Sequence, residues 1–408
     1  MDVRRPRLDM RILLVNKFLH PKGGAERAVL TLGGELEQRG HDVFWFGMEH
    51  PANAVRGAHV GLVRSRDYRA GGPRRYRDAA SMLYSLDARR RFGRFLDRVQ
   101  PTIVHLHNIY HQLTPSIVDA ARARGLPVVM TAHDYKLVCP RYDMLRKGVP
   151  CDACLEEGPT ACLRHRCAGS WGASLILTAE AVLHRSRGSY EGVARVLTPS
   201  RFLHGVLLRA GWEPQRLRHV PNFSAATAAG EAIPTRFLYA GRLAPEKGVG
   251  TLLRVVAGLR RGTLVICGSG PLEAEVQRAA QALAGRIVVR GQLSPRELWH
   301  EIARSAFTVL PSQCLENAPF AVLESMALGR SVLASRLGGV PELLAPGETG
   351  ELLPPGRIDA WQRALKRALE EPERTRRMGI AARRVARERF TLEHHVGAVE
   401  QVYREVST

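Results

Sequence analysis

CLENAPFAVLESMALGRSVLASRLGG, residues 314–339, sets two carboxylates, Glu316 and Glu324, eight positions apart across an apolar run. Eight residues are about 2.2 turns of α-helix and roughly 12 Å of rise. The spacing puts Glu316 in the loop before a helix and Glu324 two turns inside it. Asn317 is placed to cap that helix, and Pro319 suits its first turn, where no N–H donor is needed. The amides around Ala318 and Phe320 are then open to an anionic or hydroxyl-rich ligand. Ala321, Val322, Met326 and Ala327 supply the buried side, Gly329 ends the helix, and residues 331–335 read as the next strand. A loop carboxylate, free amides and an inward carboxylate make a polar ligand site. For such a pair taken alone, a surface helix with two solvated glutamates is the plainer alternative.

Working outward, the same half repeats a strand–loop–helix rhythm. Residues 235–240, TRFLYA, form a buried strand that delivers Gly241 and Arg242 to its C-terminal end, with Lys247 five residues further on. Arg242 offers a planar fork and Lys247 a compact charge, a pairing suited to a diphosphate. A strand at 264–267 runs into GSGPL, where Gly268 and Gly270 open a helix. The other half begins with MRILLVN at 10–16, an apolar run flanked by charge, as in a parallel strand covered on both faces. Gly23 and Gly24 follow, then a helix over 26–38 and a strand over 42–46. Open α/β sheets bind ligands where such loops leave the strands; a tight turn is the simpler reading of the glycine pair. Residues 101–108, PTIVHLHN, and 126–131, LPVVMT, are further strands, the second running into Ala132, His133 and Asp134. His105, His107 and His111 read as structural or as lining an acceptor.

The ordered set of Glu316 and Glu324, GRLAPEKG (241–248), GSGPL (268–272) and GGVPE (338–342) resembles the retaining GT-B glycosyltransferases of family 4. The likeness covers most of the chain and is best over 220–356. It implies an α/β protein of GT-B architecture, with two facing Rossmann-like, doubly wound domains and a cleft between them. The expected division is an N-terminal acceptor domain over 1–223, a linker over 224–234, and a nucleotide-sugar-binding domain over 235–385. A last helix over 386–408 is expected to cross back to the first domain. The implied reaction moves a sugar from a UDP- or GDP-sugar to a hydroxyl acceptor, lipid-linked or not, with retention. In that reading Arg242 and Lys247 meet the leaving diphosphate and Glu324 holds the ribose. Glu316, with the backbone of Asn317, Ala318, Pro319 and Phe320 beside it, binds the sugar. His133 faces the sugar from the other domain, Gly23 and Gly24 face the diphosphate, and Leu293 lies beside the nucleobase. The expected biological setting is synthesis of a cell-surface polysaccharide or glycolipid. Fixed cations and helix-start amides stand in for a catalytic metal, and no DxD-type pair occurs at a suitable place. Asn-Ala-Pro-Phe after Glu316 departs from the glycine-containing tetrad of many relatives. An epimerase or hydrolase of the same fold fits the spacing equally. A decayed scaffold that only binds RNA or membrane would have lost Arg242, Lys247 or the glutamates, and all are present.

Two segments fall outside that pattern. Five cysteines stand within 29 residues, Cys139 and then Cys151, Cys154, Cys162 and Cys167 in CDACLEEGPTACLRHRC. The C-x2-C-x7-C-x4-C spacing resembles a zinc knuckle, and a structural zinc on those last four thiolates would staple an insert too small for a core. Free thiols and disulfides are the alternatives. Residues 64–99 hold eleven arginines against four aspartates, interleaved with aromatic and aliphatic side chains. From Asp78 onward they read as an amphipathic helix, either covering the domain or resting on an anionic bilayer. The chain as a whole carries a net charge of +21 over 408 residues, with 45% hydrophobic and 24% charged residues. That composition belongs to a globular protein, and no run is long enough to cross a membrane. A cytoplasmic protein, peripheral at most on the inner membrane face and without a nucleic-acid partner, is expected.

Overall fold

The computed structural model describes residues 10–65 and 81–407. They form two parallel α/β sheets. The first has seven strands in the order Val60–Val63, Asp42–Met48, Arg11–Val15, Ile103–Leu106, Val128–Thr131, Arg195–Thr198 and Leu217–His219. The second has six: Ile287–Gly291, Thr263–Cys267, Ile233–Ala240, Ser305–Leu310, Ser331–Ser335 and Gly350–Leu353. In both, the earliest strand sits centrally and the order reverses beside it, so a ligand crevice opens at the C-terminal ends of the strands. The central strands are buried on both faces, which is why they read as unbroken apolar runs: Ile12, Leu13, Leu14 and Val15 in one sheet, Phe237, Leu238 and Tyr239 in the other. The two-domain GT-B architecture is therefore present.

The chain crosses between domains twice. Strand Ile233–Ala240 begins two residues before the expected position, at the edge of the small, polar linker. The return crossing is later than expected. Helix Pro372–Arg389 stays with the second domain, because Ala382, Ala386 and Phe390 are buried against Leu323, Met326 and Val332. Helix Leu392–Ser407 then packs Val396, Val399, Val402 and Tyr403 against Ile12, Leu14 and Leu197 of the first domain. The boundary lies at 390–391 rather than 385–386. The two crossings lie side by side, for the Ser224 amide donates to the Phe390 carbonyl at 2.9 Å.

Residues 66–80 of the arginine-rich segment lie outside the described residues. Its C-terminal part is helix Leu86–Val99, capped by Ser85, whose hydroxyl accepts from the Ala88 amide at 3.2 Å. Ala88, Phe92, Phe95, Leu96 and Val99 are buried in the first domain's core. The apolar side of this helix is thus committed to covering the sheet, and only its arginine side faces outward. No helix among the described residues is long and apolar enough to cross a membrane.

Candidate active site

The loop that follows strand Ser305–Leu310 holds the first glutamate in a defined polar cage. Glu316 Oε1 accepts from Lys247 Nζ at 2.7 Å and from Ser312 Oγ at 2.5 Å, and the Cys314 thiol lies 3.8 Å away. Burial pushes the Glu316 carboxyl up, yet Lys247, Ser312 and Cys314 outweigh it and hold the group below the ordinary glutamate range. Burial likewise opposes the charge on Lys247, and Glu316 overcomes it, raising the ammonium. The pair is ionised across the working pH range and fixed in place, the condition for electrostatic catalysis without reorganisation.

Glycines allow the neighbouring loops to close on this pair. Gly338 sits at φ 60°, and a Cβ there would come within 2.1 Å of the Glu316 carbonyl oxygen. Gly268, at φ 142°, would bring a Cβ to 1.9 Å from the Gly241 carbonyl. Both are positions that only glycine fills without moving backbone. Gly270 packs as closely against Leu243. The GRLAPEKG, GSGPL and GGVPE segments are thereby stacked at one end of the sheet. Arg242 is the exception among the expected residues: its side chain is 63% exposed, and Glu246 at 3.9 Å is its near carboxylate. It stands on the rim rather than beside Glu316. Leu293 is partly buried with Leu238, Val265 and Trp299, below the loop that follows strand Ile287–Gly291.

The helix start departs from the expected capping. Helix Phe320–Ala327 has Pro319 at its N-cap position, outside the first turn, and no side chain caps it. Asn317 turns away to the other domain. Its Oδ1 accepts from Ser200 Oγ at 2.6 Å, and its Nδ2 donates to the carbonyls of Ala132 at 3.2 Å and His133 at 3.3 Å. Three partners across the cleft outcompete one local amide, and the first amides of the helix keep no side-chain partner. The Ala318 carbonyl accepts from Asn222 Nδ2 at 2.9 Å. Glu324 lies inside the helix, as expected, 4% exposed, with Oε1 3.1 Å from Arg27 Nη1. Gly23 and Gly24 begin helix Gly24–Gln38 opposite, where Gly24 abuts the Phe320 ring.

His133 reaches the same cleft from the first domain. Its Nε2 shares a hydrogen bond of 2.9 Å with His107 Nδ1. Burial, with His395 nearby, lowers it to about 4, so it is neutral near pH 7. His105 is structural, bonded to Tyr403 Oη at 2.7 Å and Thr131 Oγ1 at 2.8 Å. Beside His133, burial pushes Asp134 up to about 6 against the Lys136 amide and Lys17. Lys136 itself pairs with buried Glu180 at 2.7 Å. His111 stands 3.5 Å from that carboxylate. The sequence points to His111 and Asp134 singly but not to their grouping with Lys136 and Glu180, because Glu180 lies far along the chain.

The cysteine lobe differs from the expected tetrad. All five thiols are free. Cys139 lies beside Cys154 and Cys162 beside Cys167, with Cys151 also near Cys167. Arg141 brings Cys139 into the group by donating to the Cys167 carbonyl at 2.6 Å. Among the described residues no three histidine, cysteine or acidic side chains stand around one point so as to hold an ion.

Residues 22–223 match the family model described as Glycosyltransferase Family 4, and residues 231–385 that of Glycosyl transferases group 1. Alpha-D-kanosaminyltransferase of Streptomyces kanamyceticus is 32% identical over 175 residues, 41% of this chain and 45% of that protein, so the chain spans less than half of that relative's length. Alpha-maltose-1-phosphate synthase of Mycolicibacterium smegmatis is 27% identical over 331 residues, 75% of this chain and 79% of that protein. Among solved structures, sucrose-phosphate synthase from Thermosynechococcus elongatus superposes with a TM-score of 0.71 at 21% identity, covering 97% of this chain and 98% of that one. HepE from Anabaena in complex with UDP gives 0.69 at 15% identity, covering 97% and 100%. The two family models divide at the same linker that divides the two sheets, and the chain belongs to the family 4, group 1 glycosyltransferases of GT-B architecture.

Proposed function

We propose that the protein transfers a sugar, with retention, from a UDP- or GDP-sugar to a hydroxyl acceptor. One observation carries this reading: the ionised Lys247–Glu316 pair, 2.7 Å apart, lies at the mouth of the second sheet beside an uncapped helix start and opposite neutral His133. Departure of a nucleoside diphosphate is a charge problem. Lys247, Arg242 after a modest swing, and the open amides of the helix at Phe320 supply positive potential where that charge grows. In this reading the reaction runs without a catalytic metal. Glu316 orients the sugar hydroxyls, Glu324 the ribose, and His133 the sugar from the acceptor side. A neutral histidine donates or accepts a hydrogen bond without adding charge beside the anomeric carbon.

A structural zinc on the set that the spacing gives, Cys151, Cys154, Cys162 and Cys167, is proposed for the cysteine lobe, and these thiols would have to draw together on the ion. Helix Ala153–Glu156 buries no residue and Thr160–Arg164 buries only Ala161 and Cys162, so apart from Leu155 against the domain core little apolar packing holds the lobe. The arginine side of helix Leu86–Val99 is proposed to face an anionic membrane carrying a lipid-linked acceptor. The donor reading is tested by thermal shift with UDP, GDP and ADP, followed by proton NMR of the product formed from the matching α-configured nucleotide sugars. A stabilising nucleotide and an α-linked product are expected. A β-linked product overturns retention, and no shift with any nucleotide overturns the donor assignment.

A further inference from the structure

Arg27 occupies a position that local helix energetics disfavour. It lies in the first turn of helix Gly24–Gln38, where the macrodipole is positive and a cation is the wrong charge. Its guanidinium instead crosses the domain boundary to Glu324 Oε1 at 3.1 Å. Two features let the helix starts approach this closely. Gly24 has no side chain, and a Cβ there would lie 2.8 Å from the Phe320 ring. Phe320 in turn packs edge-on against Phe223, with ring centroids 6.1 Å apart. The ion pair forms one wall of a cavity of about 310 Å³ between the domains, bounded otherwise by Phe223, Trp299, Pro295 and Phe320. That is at the small end for a ligand pocket, enough for part of a nucleotide rather than the whole.

Only one carboxylate oxygen is used. Glu324 Oε2 is buried and has no hydrogen-bond partner among the described residues. A buried carboxylate with an open acceptor is costly, and its location on the wall of a cavity points to a hydroxyl-bearing ligand. Burial pushes the Glu324 carboxyl up, with Arg27 and then the nearby Trp299 indole acting against it, although Trp299 Nε1 is itself outside hydrogen-bond geometry. Arg27 therefore favours the ionised form and fixes the rotamer, leaving Oε2 as the acceptor.

We propose that Arg27 is a positioning residue for the donor: from the opposite domain it holds Glu324 oriented toward the interdomain cavity, so that the second domain grips the nucleotide fully only when the cleft is closed. The inference rests on the reading of Glu324 as the ribose ligand. Calorimetry with UDP, GDP and ADP on the full chain selects the nucleotide that binds; its 2′,3′-dideoxy form is then compared with it on wild type, Arg27→Gln, Arg27→Lys and Glu324→Gln. Arg27→Gln is expected to weaken the ribonucleotide about tenfold, the effect of one charge-assisted contact, and Arg27→Lys to recover part of it. The dideoxy nucleotide, lacking the hydroxyls, should bind Arg27→Gln and wild type alike. In turnover the loss should fall on donor KM rather than kcat. Wild-type affinity in Arg27→Gln, or an equal loss with both nucleotides, overturns the inference. Wild-type affinity in Glu324→Gln overturns the ribose assignment itself, and failure of all three nucleotides to bind wild type overturns the donor reading.

Discussion

Replacing Lys247 by methionine keeps the length of the side chain and removes its charge, which strands Glu316 in a site built for an ion pair. Breaking one side of a buried pair costs about 3–5 kcal/mol. Here the side chains are 27% exposed for Lys247 and 11% for Glu316, and Ser312 still donates at 2.5 Å. The expected cost is therefore lower, about 2 kcal/mol, which for a domain of this size lowers its melting temperature by about 4–8 °C. Glu316→Gln in the Lys247→Met background should return part of that loss, because the uncompensated charge is gone. A double-mutant cycle by denaturant or thermal unfolding measures the coupling. The pH dependence supplies a second check. In the wild type Glu316 is held below its ordinary value of 4.5, so its contribution to stability is present above pH 4.5 and is lost only as the pH falls through the depressed value. Without Lys247, burial is left to raise the carboxyl above 4.5. The folded state then binds the extra proton, and stability falls as the pH rises from 4.5 through the raised value. The gap between wild type and Lys247→Met should thus widen from pH 4.5 toward neutrality. Additive single-variant effects, or a gap independent of pH, refute the argument that the pair carries the site's charge.

Glu342 accepts from the Arg201 and Phe202 amides at 2.7 and 2.6 Å, capping helix Arg201–Arg209 from across the cleft. Glu342→Gln should cost about 1 kcal/mol of cap energy and shift small-angle scattering toward a more open particle; unchanged scattering and melting count against it. Elemental analysis of untagged protein should find near-stoichiometric zinc that Cys151→Ser/Cys154→Ser largely loses, whereas folded metal-free wild type refutes the zinc proposal. Co-sedimentation with anionic vesicles should weaken between low and physiological salt, as screening shortens to about 8 Å; equal binding to neutral vesicles, or none to either, refutes the membrane proposal.

The strands that were legible in the sequence are those covered on both faces, since double burial leaves no polar alternation to confuse them. The edge strands Val60–Val63 and Leu217–His219 were missed: they are short, and the second reads Leu-Arg-His with one buried residue. The end of the second domain was misplaced for a related reason. Helix-forming residues continue past Phe390, and nothing local says that Ala386 faces one domain and Val396 the other. The motif order places Lys247 and Glu316 where the fold brings them together at 2.7 Å, and Glu324 where its helix buries it. Asn317 was misread because cap preference is a local quantity, worth about 1 kcal/mol, and its three partners lie 117 to 185 residues away. Arg27 did carry a signal: a cation in a helix's first turn violates the dipole preference, and such violations mark places where a distant partner has prevailed.

The residues assigned to the donor also hold the domains together. Within 316–342, the Glu316 carbonyl accepts from Tyr135 Oη at 3.4 Å, Asn317 bonds Ser200 and two first-domain carbonyls, the Ala318 carbonyl accepts from Asn222, Glu324 meets Arg27, and Glu342 caps helix Arg201–Arg209. At about 1 kcal/mol net for each such contact, the closed state gains a few kcal/mol from one loop and one helix start. That is less than the roughly 8 kcal/mol of a micromolar ligand, so a donor that prefers one state is able to shift the balance by its differential affinity. The place where the domains pivot follows from the chain itself. Ser224 and Phe390 are joined by a backbone hydrogen bond where the two crossings run side by side, which makes this the natural hinge. Opening about that hinge breaks the contacts around 316–342, the same residues that the proposed donor site uses.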